Sequence, residues 1–164
     1  MYTFWVIIHI ISAGVLVGLV ATAVIGSTHA KKTKGSAAEL GWIRTVETFV
    51  SIMARVGSAG ILLSGVSLTL MTYSFFPFSG LPWLALMQAD FVIMVVIGFG
   101  VMAPRGKKIL AMTDAELAGP NAAMGASIEL RAMVAKQEIF GRVMTILVII
   151  AIALGESKAM MWVN

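Results

Sequence analysis

Five ionisable residues fall inside long apolar runs, where charge is expensive, and three of them, His9, Asp90 and Glu156, are candidates for chemistry at one depth. Such groups mark either a binding or proton-handling site or a charge-compensated structural cluster. Methionine adds a second chemistry, with twelve residues in the chain. Met87, Asp90 and Met94 recur at i, i+3 and i+7 and share one helical face. Thioether and imidazole form a soft ligand set that suits Cu(I), or haem iron as a His/Met pair. The candidate cofactor-binding residues are therefore His9, Met87 and Asp90. The candidate metal ligands are His9, Met71, Met87 and Glu156. Methionine as plain apolar filler is the competing account.

A bis-histidine haem is excluded by arithmetic. His9 and His29 are the two histidines, and twenty helical residues separate them by about 30 Å. They cannot ligate one iron within one chain. His29 reads as an interfacial residue beside Lys31 and Lys32.

Other charges call for structural partners. Asp90 with Lys158, or Glu156 with His9, would neutralise each other inside the bundle. Arg55 falls inside an apolar run, where Glu47 or Glu138 would pair with it. An anionic headgroup site at Arg55 and Arg142 is the alternative.

Positioning these residues requires elements that cross a bilayer. Four apolar stretches are long enough: Phe4–Gly26, Val50–Thr72, Trp83–Ala103 and Val143–Val163. The first linker carries Lys31, Lys32, Lys34 and Arg44, the third Arg105, Lys107, Lys108, Arg131 and Lys136, and the segment 73–82 carries no charge. Positive loops stay cytoplasmic. The expected fold is all-α: one domain, residues 1–164, a bundle of four transmembrane helices, with N-out and C-out termini. Tyr2 and Trp5, Trp83, and Trp162 mark the outer interface. Counted from these markers, His9 lies about 6–10 Å deep, Asp90 about 10 Å and Glu156 about 9 Å. One outer layer of titratable groups is expected.

The connections have their own signals. The first helix is expected to end near Gly26–Ser27, and its Gly14, Gly18 and Thr22 stripe to admit a close neighbour. Ser36 and Glu39 read as a capping box, starting a second helix near Ala37 that runs to about Thr72 with a small face of Gly57, Gly60, Ser64 and Ser67. Residues 75–82 form an outer turn. The third helix is expected to stop before Pro104. Thr113 and Glu116 read as another capping box, Gly119-Pro120 as a stop, and Asn121 as the cap of a helix continuing into the fourth span. Helices two and four thus gain cytoplasmic extensions.

Composition removes several function classes. The chain has 164 residues, 59% of them hydrophobic and 12% charged, with a mean hydropathy of +0.96 and a pI near 9.7. The net charge of +4 sits where topology needs it, so no nucleic-acid partner is implied. The absence of cysteine excludes disulfides, thiol catalysis and thiolate-held metals within the chain. The first stretch lacks the basic start of a signal peptide. No phosphate-binding glycine loop and no His-Glu-x-x-His spacing occur.

The first helix reads Trp5-Val-Ile-Ile-His9-Ile-Ile-Ser-Ala-Gly-Val-Leu-Val-Gly18. It resembles the first helix of several bacterial four-helix membrane families. These are an uncharacterised family of predicted integral membrane proteins, the copper-resistance membrane domain, and the haem-binding membrane protoporphyrinogen oxidase family. Arg55-Val-Gly57, Leu62-Leu-Ser-Gly65, Pro82-Trp83 and Pro104-Arg105 add to the likeness with the uncharacterised family. The resemblance implies a multi-pass protein of the bacterial inner membrane. From the oxidase family it implies haem at His9 and, if the chain is an enzyme, a membrane oxidoreductase of porphyrinogen-oxidase type. That family's lysine after the helix-three Trp is absent from Trp83-Leu-Ala-Leu-Met-Gln88. The copper family implies metal passage from the outer side. Three expectations stay open: a haem or related redox-cofactor protein, a copper or small-solute handling protein, and an accessory subunit with no cofactor. The lipid bilayer is the expected partner, with a homo-oligomer or a larger membrane complex beside it.

Overall fold

The structure, a computed structural model, describes the backbone of residues 1–73 and 82–161 and the side chains of residues 1–72 and 83–155. The described residues form helices α1 (Tyr2–Lys32), α2 (Ala37–Tyr73), α3 (Pro82–Val95), α4 (Ala103–Ala118) and α5 (Ile128–Met161). A π-helical segment, Val96–Met102, makes α3 and α4 one continuous rod, and a short 3-10 turn, Ala122–Met124, precedes α5. Four helical stretches are long and apolar enough to cross a membrane: Tyr2–Lys32, Ala37–Thr72, Trp83–Ala118 and Ile128–Gly155. The chain is an all-α, four-helix, multi-pass architecture. The expected outer turn, residues 75–81, lies outside the described residues.

Within the spans the apolar side chains face outward. Only 0–17% of the residues in each apolar window are buried, and Ile10, Val56, Leu63, Val96 and Ile149 are among the exposed large hydrophobics. A hydrocarbon solvent rewards that arrangement, because lipid tails are as apolar as leucine. α1 lies along α2, α3 lies along α5, and the two pairs meet chiefly where α4 packs on α2. The dense core sits at the basic end, beyond the apolar runs. Leu40, Ile109 and Leu130 are fully buried there beside Ala30, Ile43 and Ala126, with Trp42, Met112, Leu117, Met133 and Val134 packed around them.

The α1–α2 seam uses small residues, as expected for α2. A Cβ at Gly60 would strike Ser12, and one at Gly57 would stand 2.7 Å from Leu16 Cδ2. Backbones can approach this closely only where side chains are missing. On α1 the expected stripe differs. A Cβ at Gly14 would meet nothing within 4 Å, and the crowded glycine is Gly26, against Val46.

Four boundaries depart from expectation. α1 continues past Gly26 to Lys32 because its extra turns find partners: Ala30 is buried and His29 stacks on Trp42 at 4.7 Å. The rod does not stop before Pro104. A proline inside an α-helix clashes with the carbonyl four residues back, here Gly100. The hydrogen-bond register has already shifted, with Ala103 N–H bonding Gly98 O, and such wide turns accommodate an interruption without ending the helix. Thr113 is no cap. It is fully buried within α4, and its hydroxyl donates to Ile109 O at 2.7 Å. Asn121 caps only the 3-10 turn and makes no side-chain capping bond. α5 is capped by Ser127, whose Oγ accepts Leu130 N–H at 3.1 Å.

Candidate functional site

Towards the end away from the basic residues, α1 and α2 position an imidazole. His9 Nδ1 lies 3.0 Å from Ser64 Oγ, and Ser64 Oγ itself lies 2.5 Å from Gly60 O. A carbonyl only accepts, so the hydroxyl proton belongs to the Gly60 bond. Ser64 Oγ must then accept from His9 Nδ1–H, which fixes the tautomer and leaves the Nε2 lone pair free. The relay exists because Gly60, Ser64 and Gly65 share the seam. His9 Cε1 stands 3.8 Å from where a Gly65 Cβ would be, so the ring packs against this stretch of α2. This is the arrangement found behind metal-ligating histidines, in which the second ring nitrogen is held by a hydrogen bond.

The other expected site residues are placed elsewhere. Asp90 is 6% exposed, and its Oδ2 has no hydrogen-bond partner; Gln88 Oε1 on the same helix is also buried and unpartnered. Both belong to α3, which packs on α5. His9 and Asp90 are thus held by different helix pairs, α1–α2 and α3–α5. Met87 Cε lies 3.7 Å from where a Gly155 Cβ would be, at the α3–α5 seam, and Met71 is 45% exposed. No group of three His, Cys, Asp or Glu able to hold a metal occurs among the described residues. The side chains of Glu156 and Lys158 lie outside the described residues.

The ion pairs differ from those expected. Arg55 Nη2 donates to Ser51 Oγ at 2.6 Å, one turn away. Glu138 pairs with Lys31 at 2.7 Å, and Arg44 with Asp114 at 2.7 Å. The strongest pair is one that sequence reasoning missed. Glu39 accepts two hydrogen bonds from Arg131, each 2.7 Å, and further ones from Gly35 N–H at 2.8 Å and Ala126 N–H at 3.3 Å. The Arg131 guanidinium, aided by those two backbone donors, holds the Glu39 carboxyl below its ordinary range. So Glu39 does not close the expected reciprocal box with Ser36. It reaches one residue further back, and the Ser36 hydroxyl donates to Thr33 O instead.

A second polar site lies just outside the apolar runs. Glu47, three residues before Val50, is 8% exposed, and burial pushes its carboxyl up to about 7. It lies against Gly106, where a Cβ would stand 2.9 Å from Glu47 Oε2 and 3.8 Å from Gln137 Nε2. The signals available in the sequence were Glu47 at an apolar boundary and a glycine in the basic Arg105-Gly-Lys-Lys108 run; nothing local joined them.

The fold and these sites define a multi-pass membrane protein with polar groups held in a helical bundle. No family model, curated protein or solved structure matches the chain.

Proposed function

We propose that this protein sits in a membrane of the bacterial inner-membrane type with its basic end in the cytoplasm. In this reading it holds a haem, or a related metal-centred redox cofactor, near the outer leaflet through His9 Nε2. One observation carries the reading: the Gly60–Ser64–His9 relay fixes the imidazole in the tautomer a metal ligand needs. His9 is the sole protein ligand in this proposal, since Met87 belongs to the other helix pair. Bound iron would supply one-electron chemistry, and the chain would supply the ligand, its orientation and a low-dielectric surround. The test is an absorption spectrum of protein purified after haem-supplemented expression. A Soret band present in the native chain and lost in His9→Ala supports the proposal; a colourless native protein overturns it.

Asp90 favours a second reading, copper or small-solute handling. A carboxyl so deeply placed with an unpartnered oxygen carries a real cost, and such costs are commonly retained for function. Stoichiometric metal lost on Asp90→Asn would support it. If that change alters thermal stability alone, an accessory subunit with polar packing is the better description.

A further inference from the structure

Arg55 is the one charged residue between Val50 and Thr72. It stands five residues past Val50, or about 8 Å into the apolar run. Ile52 and Val56 beside it are 53% and 60% exposed, and Arg55 is exposed with them, so this face of α2 meets lipid. A full charge there is costly unless it finds a partner or returns its head to the interface. The two acids expected to meet it are committed elsewhere. Glu47 is buried against Gly106, and Glu138 pairs with Lys31.

The Arg55 side chain folds back toward the basic end. Its Nη2 donates to Ser51 Oγ at 2.6 Å, one turn nearer the start of α2. A guanidinium has five N–H donors, and this bond uses one of them. Ser51 Oγ accepts here, so its own hydrogen remains to be donated. One turn further back, the exposed Thr48 has no hydrogen bond at its hydroxyl among the described residues. Thr48, Ser51 and Arg55 recur at i, i+3 and i+7 and share one face. Thr48 stands two residues before Val50, at the edge of the apolar run, and residues 48–55 include no acid. The face thus carries a fixed positive charge and free donors at the depth where lipid phosphates lie, and the protein supplies no anion to meet them.

We propose that Thr48, Ser51 and Arg55 bind the phosphate of an anionic phospholipid in the leaflet at the basic end. Guanidinium and phosphate are complementary in charge and, through paired N–H donors, in shape. A headgroup with a net negative charge, such as phosphatidylglycerol, is preferred to a zwitterionic one, because no carboxylate on this face receives an ammonium group. The acyl chains then run outward beside Val56, Leu62 and Leu63, all exposed. The site is independent of His9 and of any cofactor held there.

The test is native mass spectrometry of the intact protein in detergent, titrated with phosphatidylglycerol or with phosphatidylethanolamine of the same chains. The expected result is a first phosphatidylglycerol bound several-fold more tightly than the zwitterionic lipid. Arg55→Gln should weaken that first binding about tenfold or more and abolish the preference. Arg142→Gln, at an exposed arginine on α5, which packs on α3, should leave both unchanged. Equal affinity of the native protein for the two lipids overturns the proposal, as does undiminished binding in Arg55→Gln. An equal loss in Arg142→Gln also overturns it, since that is general attraction to basic residues. If Arg55→Gln instead turns a dimer into monomers and keeps its lipid, the face is an interface between copies and the proposal fails. The double variant Thr48→Val, Ser51→Ala removes both hydroxyls and keeps the charge. It should weaken phosphatidylglycerol binding a few-fold, and an unchanged affinity counts against the site even if Arg55→Gln fails to fold.

Discussion

Arg131 grips Glu39 through two parallel hydrogen bonds, Nε to Oε1 and Nη2 to Oε2, both 2.7 Å, joining the start of α2 to the start of α5. The carboxylate side is 5% exposed and the guanidinium side 31%. Removing one member of such a pair destabilises chiefly through the charge left behind. Arg131→Met strands the carboxylate and should lower the unfolding midpoint clearly. Glu39→Gln leaves a partly hydrated guanidinium and should cost less. Unfolding midpoints of the two variants in detergent check the order.

The same pair sets an acid limit. The folded carboxyl of Glu39 is held below its ordinary 4.5, so its stabilisation is complete above the unfolded value. It is lost as pH falls through the lower, folded one. Native protein should therefore lose stability below about pH 4.5, and Arg131→Met should flatten that part of the profile. A melting series from pH 6 downward measures it.

Glu47 has the opposite sign. Its folded carboxyl titrates near 7, above the ordinary 4.5, so the folded state holds a proton that the unfolded chain has released. Stability contributed by this group declines between about pH 4.5 and 7 and is flat above. Glu47→Gln should gain on the native protein across that window, by roughly 3 kcal/mol at its upper end. A variant profile parallel to the native one would contradict this assignment.

Gly60 packs directly on Ser12 across the α1–α2 seam. Gly60→Ala places a methyl where the serine hydroxyl lies and should destabilise by about 1–3 kcal/mol, the usual range for overpacking. Gly14→Ala, which meets nothing within 4 Å, should be near neutral. Paired melting curves compare the two.

Ser64 positions His9 without touching anything His9 would ligate. Loss of such a supporting hydrogen bond weakens metal affinity about 10–100-fold. Ser64→Ala should therefore raise the apparent Kd for haem while leaving a Soret band at saturation, whereas His9→Ala removes the band. A haem titration followed by absorbance distinguishes them.

The spans were legible because hydropathy and length act locally. Four apolar runs must cross lipid whatever their partners, and α2 began at Ala37 as expected. Pro104 misled because its cost can be met by a register shift upstream, at Gly98 and Ala103, which no stop signal encodes. Thr113 and Asn121 misled because capping depends on which backbone donors are exposed, and packing decided that in favour of Ser127. Glu39 read locally as a partner of Ser36; its true partner stands 92 residues away. His9 was legible as costly, while its bond to Ser64 was not, since nothing local in either helix sets the register between them.

The spacing of that clasp along the chain also imposes an order on synthesis. Glu39 leaves the ribosome 92 residues before Arg131, roughly 5 to 20 seconds at ordinary elongation rates. Throughout that interval the newborn α1–α2 hairpin has neither its guanidinium nor the completed lid of α4 and α5 over Leu40 and Ile43. The glycine-lined seam between the first two helices must therefore hold unaided, and the last helix to be translated is the latch.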